Sequence, residues 1–275
     1  MEETEARGHG DWIRSAPAEY RTRYGLAERS DEGVHCFAAG AFDVLALNVV
    51  IVTGAGRPAS AQTIESWKQV FREAGARRFF VQVSPAADPE RWEPLLLGSG
   101  LRAHNRWARL WRVRDPRPEE CSGPRVERIG RDEGAVFARL VAEGFNMPAE
   151  TQAWLAAPVG RSGWQHYVAF EADEPIGAAV LVTGGPMGWL SFAATREDRR
   201  GRGAQSALIR RRLTDAFARG CTHLAVETAE DKPEKPAPSF RNLRRFGFRF
   251  AYYRPNYLFE FAPTVGARAG GPSGG

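Results

Sequence analysis

Ala193-Ala194-Thr195-Arg196-Glu197-Asp198-Arg199-Arg200-Gly201-Arg202-Gly203-Ala204-Gln205 joins the end of a strand to the start of a helix through a short loop rich in arginine and glycine. The first amides of a helix have no intrahelical acceptor, and the helix dipole adds positive potential there. Glycines let the backbone curl and come close to a ligand. Together these features predict a cradle for a pyrophosphate. No Gly-Lys-Ser/Thr follows, so this is not a Walker loop. Gly-x-Gly alone would equally suit an ordinary strand–helix turn on an arginine-rich surface, so the surrounding elements have to decide.

Working outward, Arg125 to Ile129 reads as a first strand. Asp132 to Phe145 is an amphipathic helix with Val136, Phe137, Leu140, Val141 and Phe145 on one face. Ala149 to Ala156 is a second, short helix, and Trp164 to Glu171 and Ile176 to Thr183 are strands parted by the turn-like Ala172-Asp173-Glu174-Pro175. Trp189 to Thr195 is the strand that leads into the loop. The helix from Gly203 to Arg219 stops before Gly220, which suits a left-handed C-cap. Leu224 to Thr228, a short helix at Ser239 to Phe246 and a strand region from Phe248 to Phe261 follow. Pro175 and Pro255 are expected at breaks, because proline cannot donate to a ladder.

The chain also repeats itself. Ser60-Ala61-Gln62, a helical stretch to Phe71, Gly75 and the strand Phe79–Val83 are echoed by Gly203-Ala204-Gln205, a helical stretch to Phe217, Gly220 and the strand Leu224–Thr228. Gly100-Leu101-Arg102 is echoed by Gly247-Phe248-Arg249, and the matched landmarks lie 143 to 147 residues apart. This points to duplication of a strand–helix–strand–helix–strand unit.

With the order of elements in place, Arg200-Gly201-Arg202-Gly203-Ala204-Gln205 resembles the Arg/Gln-x-x-Gly-x-Gly/Ala signature of the GNAT N-acetyltransferases, and the elements from Arg125 to Phe261 follow that family's order. Gln205 stands where the signature has Gly or Ala, which leaves the backbone donors intact. The resemblance implies an α/β (α+β) fold, a mixed, mostly antiparallel sheet flanked by helices, in two tandem GNAT-like units. It implies acetyl-CoA as cosubstrate. Carried over by position, Ala194 and Thr195 would face the pantetheine arm, and Arg200, Gly201, Arg202, Gly203, Ala204 and Gln205 would surround the pyrophosphate. The helix around Ser239–Phe246 resembles a second landmark of the family. The family's usual Asn and Tyr fall on Ala237 and Leu243, and Asn242 is either a contact for the coenzyme arm or a solvated helix residue.

The first half departs from this pattern. Arg57-Pro58-Ala59-Ser60 stands opposite Arg200-Gly201-Arg202-Gly203, so Pro58 removes an amide donor and Ser60 puts a side chain where glycine is wanted. The half is also too short before Phe42 for all the opening elements. The expected division is therefore a degenerate GNAT-like domain at 1–122, retained as scaffold or pocket wall, an acetyl-CoA-binding GNAT domain at 123–262, and a disordered tail at 263–275 rich in Gly, Ala, Pro and Ser. Trp92, Trp107 and Trp111 read as packing residues.

Composition agrees with two modest domains: 275 residues, 43% of them hydrophobic. No apolar run is long enough to span a membrane, and Met1 to Gly10 lacks the apolar core of a secretory signal. Cys36, Cys121 and Cys221 are few and scattered, as for reduced thiols in a cytoplasmic protein, and no spacing suggests a metal site. The net charge of +5 is spread along the chain without a dense basic block, which argues against nucleic acid as a partner and suits a polyanionic cosubstrate.

Direct acetyl transfer to an amine needs a base for the amine, a donor for the oxyanion and an acid for the leaving thiolate. The family's usual acid is absent at Leu243. The candidates are Tyr252, Tyr253 and Tyr257 on the last strand and Glu227 at the end of its neighbour; of these, Tyr253 is taken as acid and Glu227 as base, the two flanking one cleft. His166 reads as a strand residue without a role. Cys221 follows a helix C-terminus, where the dipole disfavours a thiolate. The expected function is N-acetylation of a primary amine on a small molecule or protein. The alternative is a non-catalytic acyl-CoA-binding or regulatory protein. The acceptor's identity and the oligomeric state, a homodimer included, stay open at this level.

Overall fold

The computed structural model describes residues 1–54, 56, 60–114 and 123–262. The expectations for Arg57-Pro58-Ala59, for Cys121 and for the 263–275 tail lie outside the described residues.

The first half comprises α1 (Glu2–Ser15), α2 (Ala18–Tyr24), β1 (Leu26–Asp31), β2 (Val34–Ala39), β3 (Val49–Val52), α3 (Ala61–Ala74), β4 (Arg78–Val83), α4 (Pro89–Gly98) and β5 (Arg102–Val113). The second comprises β6 (Arg125–Arg128), α5 (Gly134–Gly144), α6 (Gln152–Ala156), β7 (Trp164–Glu171), β8 (Glu174–Gly184), β9 (Met187–Thr195), α7 (Ala204–Ala218), β10 (His223–Ala229), α8 (Pro238–Arg245) and β11 (Arg249–Glu260). The first half opens directly on helices, without a counterpart of β6. Ser60 caps α3, its hydroxyl accepting from the Thr63 amide at 3.1 Å, and Gly75 and Gly220 leave α3 and α7 at φ 80° and 85°, a region open to glycine.

Among the described residues, all strands form one 11-stranded sheet in the order β1-β2-β3-β4-β11-β5-β10-β9-β8-β7-β6. Only β3–β4 and β9–β10 pair parallel; the other pairs are antiparallel. The halves exchange their last strands. β5, from the first half, pairs with β10 of the second, and β11, from the second, pairs with β4 of the first. β5 and β11 then pair with each other at the centre. The expected boundary near residue 122 thus divides the sequence, while the hydrogen-bonded sheet runs across it.

Alternation along the strands gives the sheet two apolar faces. One carries α3 and α4 on the first half, over Val50, Val81 and Phe79, and α7 and α8 on the second, over Leu110, Leu224 and Phe248. The other carries α1, α5 and α6 over a core that spans both halves, from Phe37 and Phe80 to Val180 and Trp189. α1 touches β1 and β2 as well as β8 and β9, strands far apart in the order, so the sheet curls around it. His9 marks the fit: its ring centroid lies 5.2 Å from that of Phe37 and 5.3 Å from that of Trp189. Trp12 of α1 stacks on Trp154 of α6 at 3.9 Å, and each indole N–H donates to the other's carbonyl at 3.0 Å. These two residues stand 142 apart, close to the interval of the sequence repeat.

Both prolines depart from expectation. Pro175 lies inside β8, at a register shift opposite Phe170, and Pro255 lies inside β11 opposite Arg106. Pairing of β11 with β4 starts only at Asn256, so Pro255 has no β4 partner for its missing amide and the strand continues through it.

His166 sits on β7 between Trp164 and Phe137, 1% exposed, with both ring nitrogens unpartnered. Burial alone pulls its pKa down to about 3. Its folded pKa is depressed, so the stability it contributes is complete above the unfolded value near 6.5 and is lost as the pH falls toward the folded one. At pH 5 the loss amounts to about 2 kcal/mol. Urea unfolding at pH 7.5 and pH 5 is expected to show this loss, and His166→Leu to remove it; equal pH dependence in both proteins would place a proton acceptor beside the ring.

Candidate active site

β9 and β10 are paired from Met187–His223 to Leu190–Val226 and no further, although β9 runs on to Thr195 and β10 to Ala229. The two strands therefore part, and β9 from Ser191 onward presents a backbone edge without a β10 partner. The register of β8 against β9 shifts at the same level, between the pairs Ala179–Ala193 and Leu181–Leu190. Arg212 of α7 fills the break: its Nη1 donates to the Val180 and Ser191 carbonyls, both at 3.2 Å. These bonds stand in for ladder bonds that the bulge interrupts. Burial pulls the Arg212 guanidinium down to about 10. In the first half the equivalent gap is closed. β3 pairs with β4 through Val52–Val83, and the Ser84 amide extends the ladder to the Val52 carbonyl at 2.9 Å.

A cavity of about 710 Å³ lies against the end of β9 that has no β10 partner. Ala193, Ala194 and Thr195 form one wall, the loop residues Arg200, Gly201 and Gly203 with Ala204, Gln205 and Ser206 the floor, and α8 the far wall through Pro238, Ser239, Asn242 and Arg245. Gly201 and Gly203 hold φ 79° and 85°, which turn the loop into the helix. The first intrahelical bond of α7 runs from the Ala207 amide to the Gly203 carbonyl, so the amides of Ala204, Gln205 and Ser206 precede the helical ladder. Gln205 ties the walls together: its amide donates to the Ser239 hydroxyl at 2.8 Å and accepts from the Asn242 amide, and Asn242 in turn accepts from Arg245. Gly144 and Phe145, at the end of α5, complete the rim. A Cβ on Gly144 would stand 2.5 Å from the Ala194 Cβ, so glycine is what allows α5 to approach β9 this closely.

Of the residues picked from the sequence, the structure brings Ala194, Thr195, Arg200, Gly201, Gly203, Ala204, Gln205 and Asn242 into one cavity. Arg202 is different: its guanidinium turns away to Glu171, at 2.9 and 3.0 Å from the two carboxylate oxygens. Ser206, Ser239 and Arg245 were missed. Arg245 was legible in principle, since it follows Asn242 by three residues on the same helix face. Gly144 and Phe145 arrive by tertiary packing and carry no local signal.

Glu227 and Tyr253 do not line this cavity. They also do not flank one cleft, because register separates them: Glu227 and Tyr252 both stand opposite Arg109, whereas Tyr253 stands opposite Ala108 and so points to the other face of the sheet. Tyr253 lies on the α7–α8 face, under the Arg106 guanidinium at 4.5 Å. Glu227, the first β10 residue beyond the last pair with β9, enters a buried ion cluster on the α1 face. Arg254 donates to Glu227 and to both oxygens of Glu5, the latter at 2.9 Å each. Arg109 lies 2.9 Å from Glu5, 3.4 Å from Glu227 and 3.5 Å from Glu2, and the Tyr252 hydroxyl donates to Glu2. Burial, then Glu5, raise the Glu227 pKa above the usual carboxylate range, against Arg254 and Arg109. Cys221 is buried and its thiol is pushed up by that burial.

A helix N-terminus with free amides, two arginines at the rim and an unpaired strand edge leading away from them suit an elongated ligand, anionic at one end and amide-bearing along its length. No curated protein matches the chain. Its structure is similar to a GCN5-related N-acetyltransferase from Kribbella flavida, with a TM-score of 0.62 at 14% identity over 90% of this chain and 95% of that one. A GCN5-related N-acetyltransferase from Sphaerobacter thermophilus gives 0.61 at 18% identity, over 91% and 87%. A tandem GNAT protein from the clavulanic acid biosynthesis pathway gives 0.58 at 16% identity, over 93% and 95%. The cavity is lined by residues between Gly144 and Arg245, on a sheet that both halves of the chain complete. Residues 136–248, which hold every one of these lining residues, match the model of the acetyltransferase (GNAT) family.

Proposed function

We propose that the chain is an N-acetyltransferase that moves the acetyl group of acetyl-CoA directly to a primary amine. The observation that carries this is the junction, in one cavity, of the amide-lined start of α7 with the end of β9 that has no β10 partner. In this reading the amides of Ala204, Gln205 and Ser206, with Arg200 and Arg245, hold the pyrophosphate. The free edge of β9 at Ala194 and Thr195 pairs with the pantetheine amides. The thioester then lies near Ser191, where Glu227 borders the gap from the α1 face. The amine nitrogen attacks the thioester carbonyl, the carbon–sulfur bond breaks, one amine proton passes to Glu227 and the leaving thiolate takes a proton from solvent. Residues 1–122, with their closed β3–β4 gap, serve as a duplicated unit that has kept its structural part and lost the cradle.

A non-catalytic acyl-CoA-binding role is the second reading, favoured by Leu243 standing buried where the family's usual acid would be. Thiol release from acetyl-CoA across a panel of amines separates the two. Glu227→Gln is expected to flatten the rise of rate with pH with coenzyme affinity unchanged, while Tyr253→Phe, on the other face of the sheet, should keep the wild-type rate. Acetyl-CoA binding without thiol release to any amine would establish the second reading, and a wild-type pH–rate profile in Glu227→Gln would remove that residue from the mechanism.

A further inference from the structure

The first half meets the residue proposed as base at a buried ion cluster. α1 supplies Glu2, Glu5 and His9; β5 supplies Arg109; β11 supplies Tyr252 and Arg254; and β10 supplies Glu227. Three carboxylates face two guanidiniums, and both guanidiniums are fully buried. Within this set Glu5 holds more of the two guanidiniums. It takes both nitrogens of Arg254 in a two-pronged pair at 2.9 Å and Arg109 at 2.9 Å, while Glu227 has a single, shorter contact with Arg254, 2.5 Å, and lies 3.4 Å from Arg109. The same two cations cannot fully serve both carboxylates. Glu5 is held well below the usual carboxylate range, since Arg109 and Arg254 outweigh its burial; burial first, and then the Glu5 charge, hold Glu227 above it against Arg254 and Arg109. His9, half-buried beside the cluster, adds no cation near neutral pH: desolvation pulls it down to about 4.

We infer that Glu5 is a positioning residue for the acetyl-transfer site: by holding Arg254 and Arg109 it withholds their charge from Glu227 and so keeps that carboxylate able to accept a proton at the mouth of the β9–β10 gap. This rests on the reading of Glu227 as base. It gives the first half a chemical role beyond support, because α1 is that half's opening helix and Glu227 lies in the other half.

The test uses the full chain labelled with ¹³C in its glutamate carboxyls, with the Glu227 resonance identified by its loss in Glu227→Gln. Glu5→Gln frees the arginines for Glu227, so the Glu227 titration is expected to move down by about one pH unit or more. The rising limb of the pH–rate profile should move by the same amount, with KM for acetyl-CoA unchanged. Glu5→Asp, which keeps the charge, should restore most of the wild-type titration. Should Glu5→Gln fail to fold, Glu2→Gln, at 3.5 Å from Arg109, is expected to shift Glu227 in the same direction by less. A Glu227 titration that stays in place when the neighbouring charge is removed overturns the inference, as does a shift in titration without a shift of the rate limb. Full activity in Glu227→Gln would overturn the base assignment itself, a separate result.

Discussion

Gly201→Asp is expected to weaken acetyl-CoA binding about a thousandfold while the protein stays folded. A Cβ at Gly201 meets no heavy atom within 4 Å, so the side chain has room. The backbone holds φ 79°, where a non-glycine residue costs about 1–2 kcal/mol and Asp is among the better tolerated. The new carboxylate would stand on the cavity floor, beside the amides proposed to hold the pyrophosphate. Two like charges about 4 Å apart repel by about 4 kcal/mol at an effective dielectric of 20, which is about three decades in affinity. Gly201→Ala carries the strain without the charge and separates the two effects. Arg202→Ala, whose parent side chain belongs to Glu171 and not to the cavity, should bind within about threefold of wild type, the range of a peripheral charge. Calorimetry with acetyl-CoA measures all three. Wild-type affinity in folded Gly201→Asp would place the pyrophosphate elsewhere.

Arg254→Leu is expected to cost about 3–5 kcal/mol of stability, a large share of what holds an ordinary domain together. The guanidinium is fully buried and is the shared partner of Glu5 and Glu227. Its loss leaves Arg109 alone against three carboxylates, of which Glu5 is almost wholly shut off from solvent. Removing charge from the other side should return part of the loss, so Arg254→Leu with Glu5→Gln is expected to be more stable than Arg254→Leu alone. Guanidinium unfolding at neutral pH gives both numbers. A single-variant loss under about 1 kcal/mol would mean that water reaches the cluster.

The cavity was legible because its chemistry is local. A run of Gly and Arg between strand and helix fixes where amides point, whatever surrounds it, and eight of the nine residues picked for the coenzyme line the cavity. Arg202 failed because backbone position says nothing about which way a long side chain turns; Glu171, 31 residues earlier, captured it. The pairing of Glu227 with Tyr253 failed for a different reason. Whether two strand residues share a face depends on register, and here a bulge between Phe250 and Tyr252 in β11 sets that register against β5. The ion cluster was invisible for the same reason: Glu5 and Arg254 are 249 residues apart. The duplication could be read from recurring landmarks, but no recurring landmark tells which half keeps its own last strand.

That exchange also orders events in time. During synthesis the first half emerges with β4 and β5 already made, yet β4 must wait for β11 before its free edge is covered, a partner some 170 residues downstream. Until then an apolar edge around Phe79–Val83 is open to any other strand, including the same segment of another nascent chain. Contacts this distant in sequence form slowly. The chain therefore reaches its native state through a late, sheet-closing step, and chaperone demand and aggregation during expression should concentrate in the interval before β11 is released.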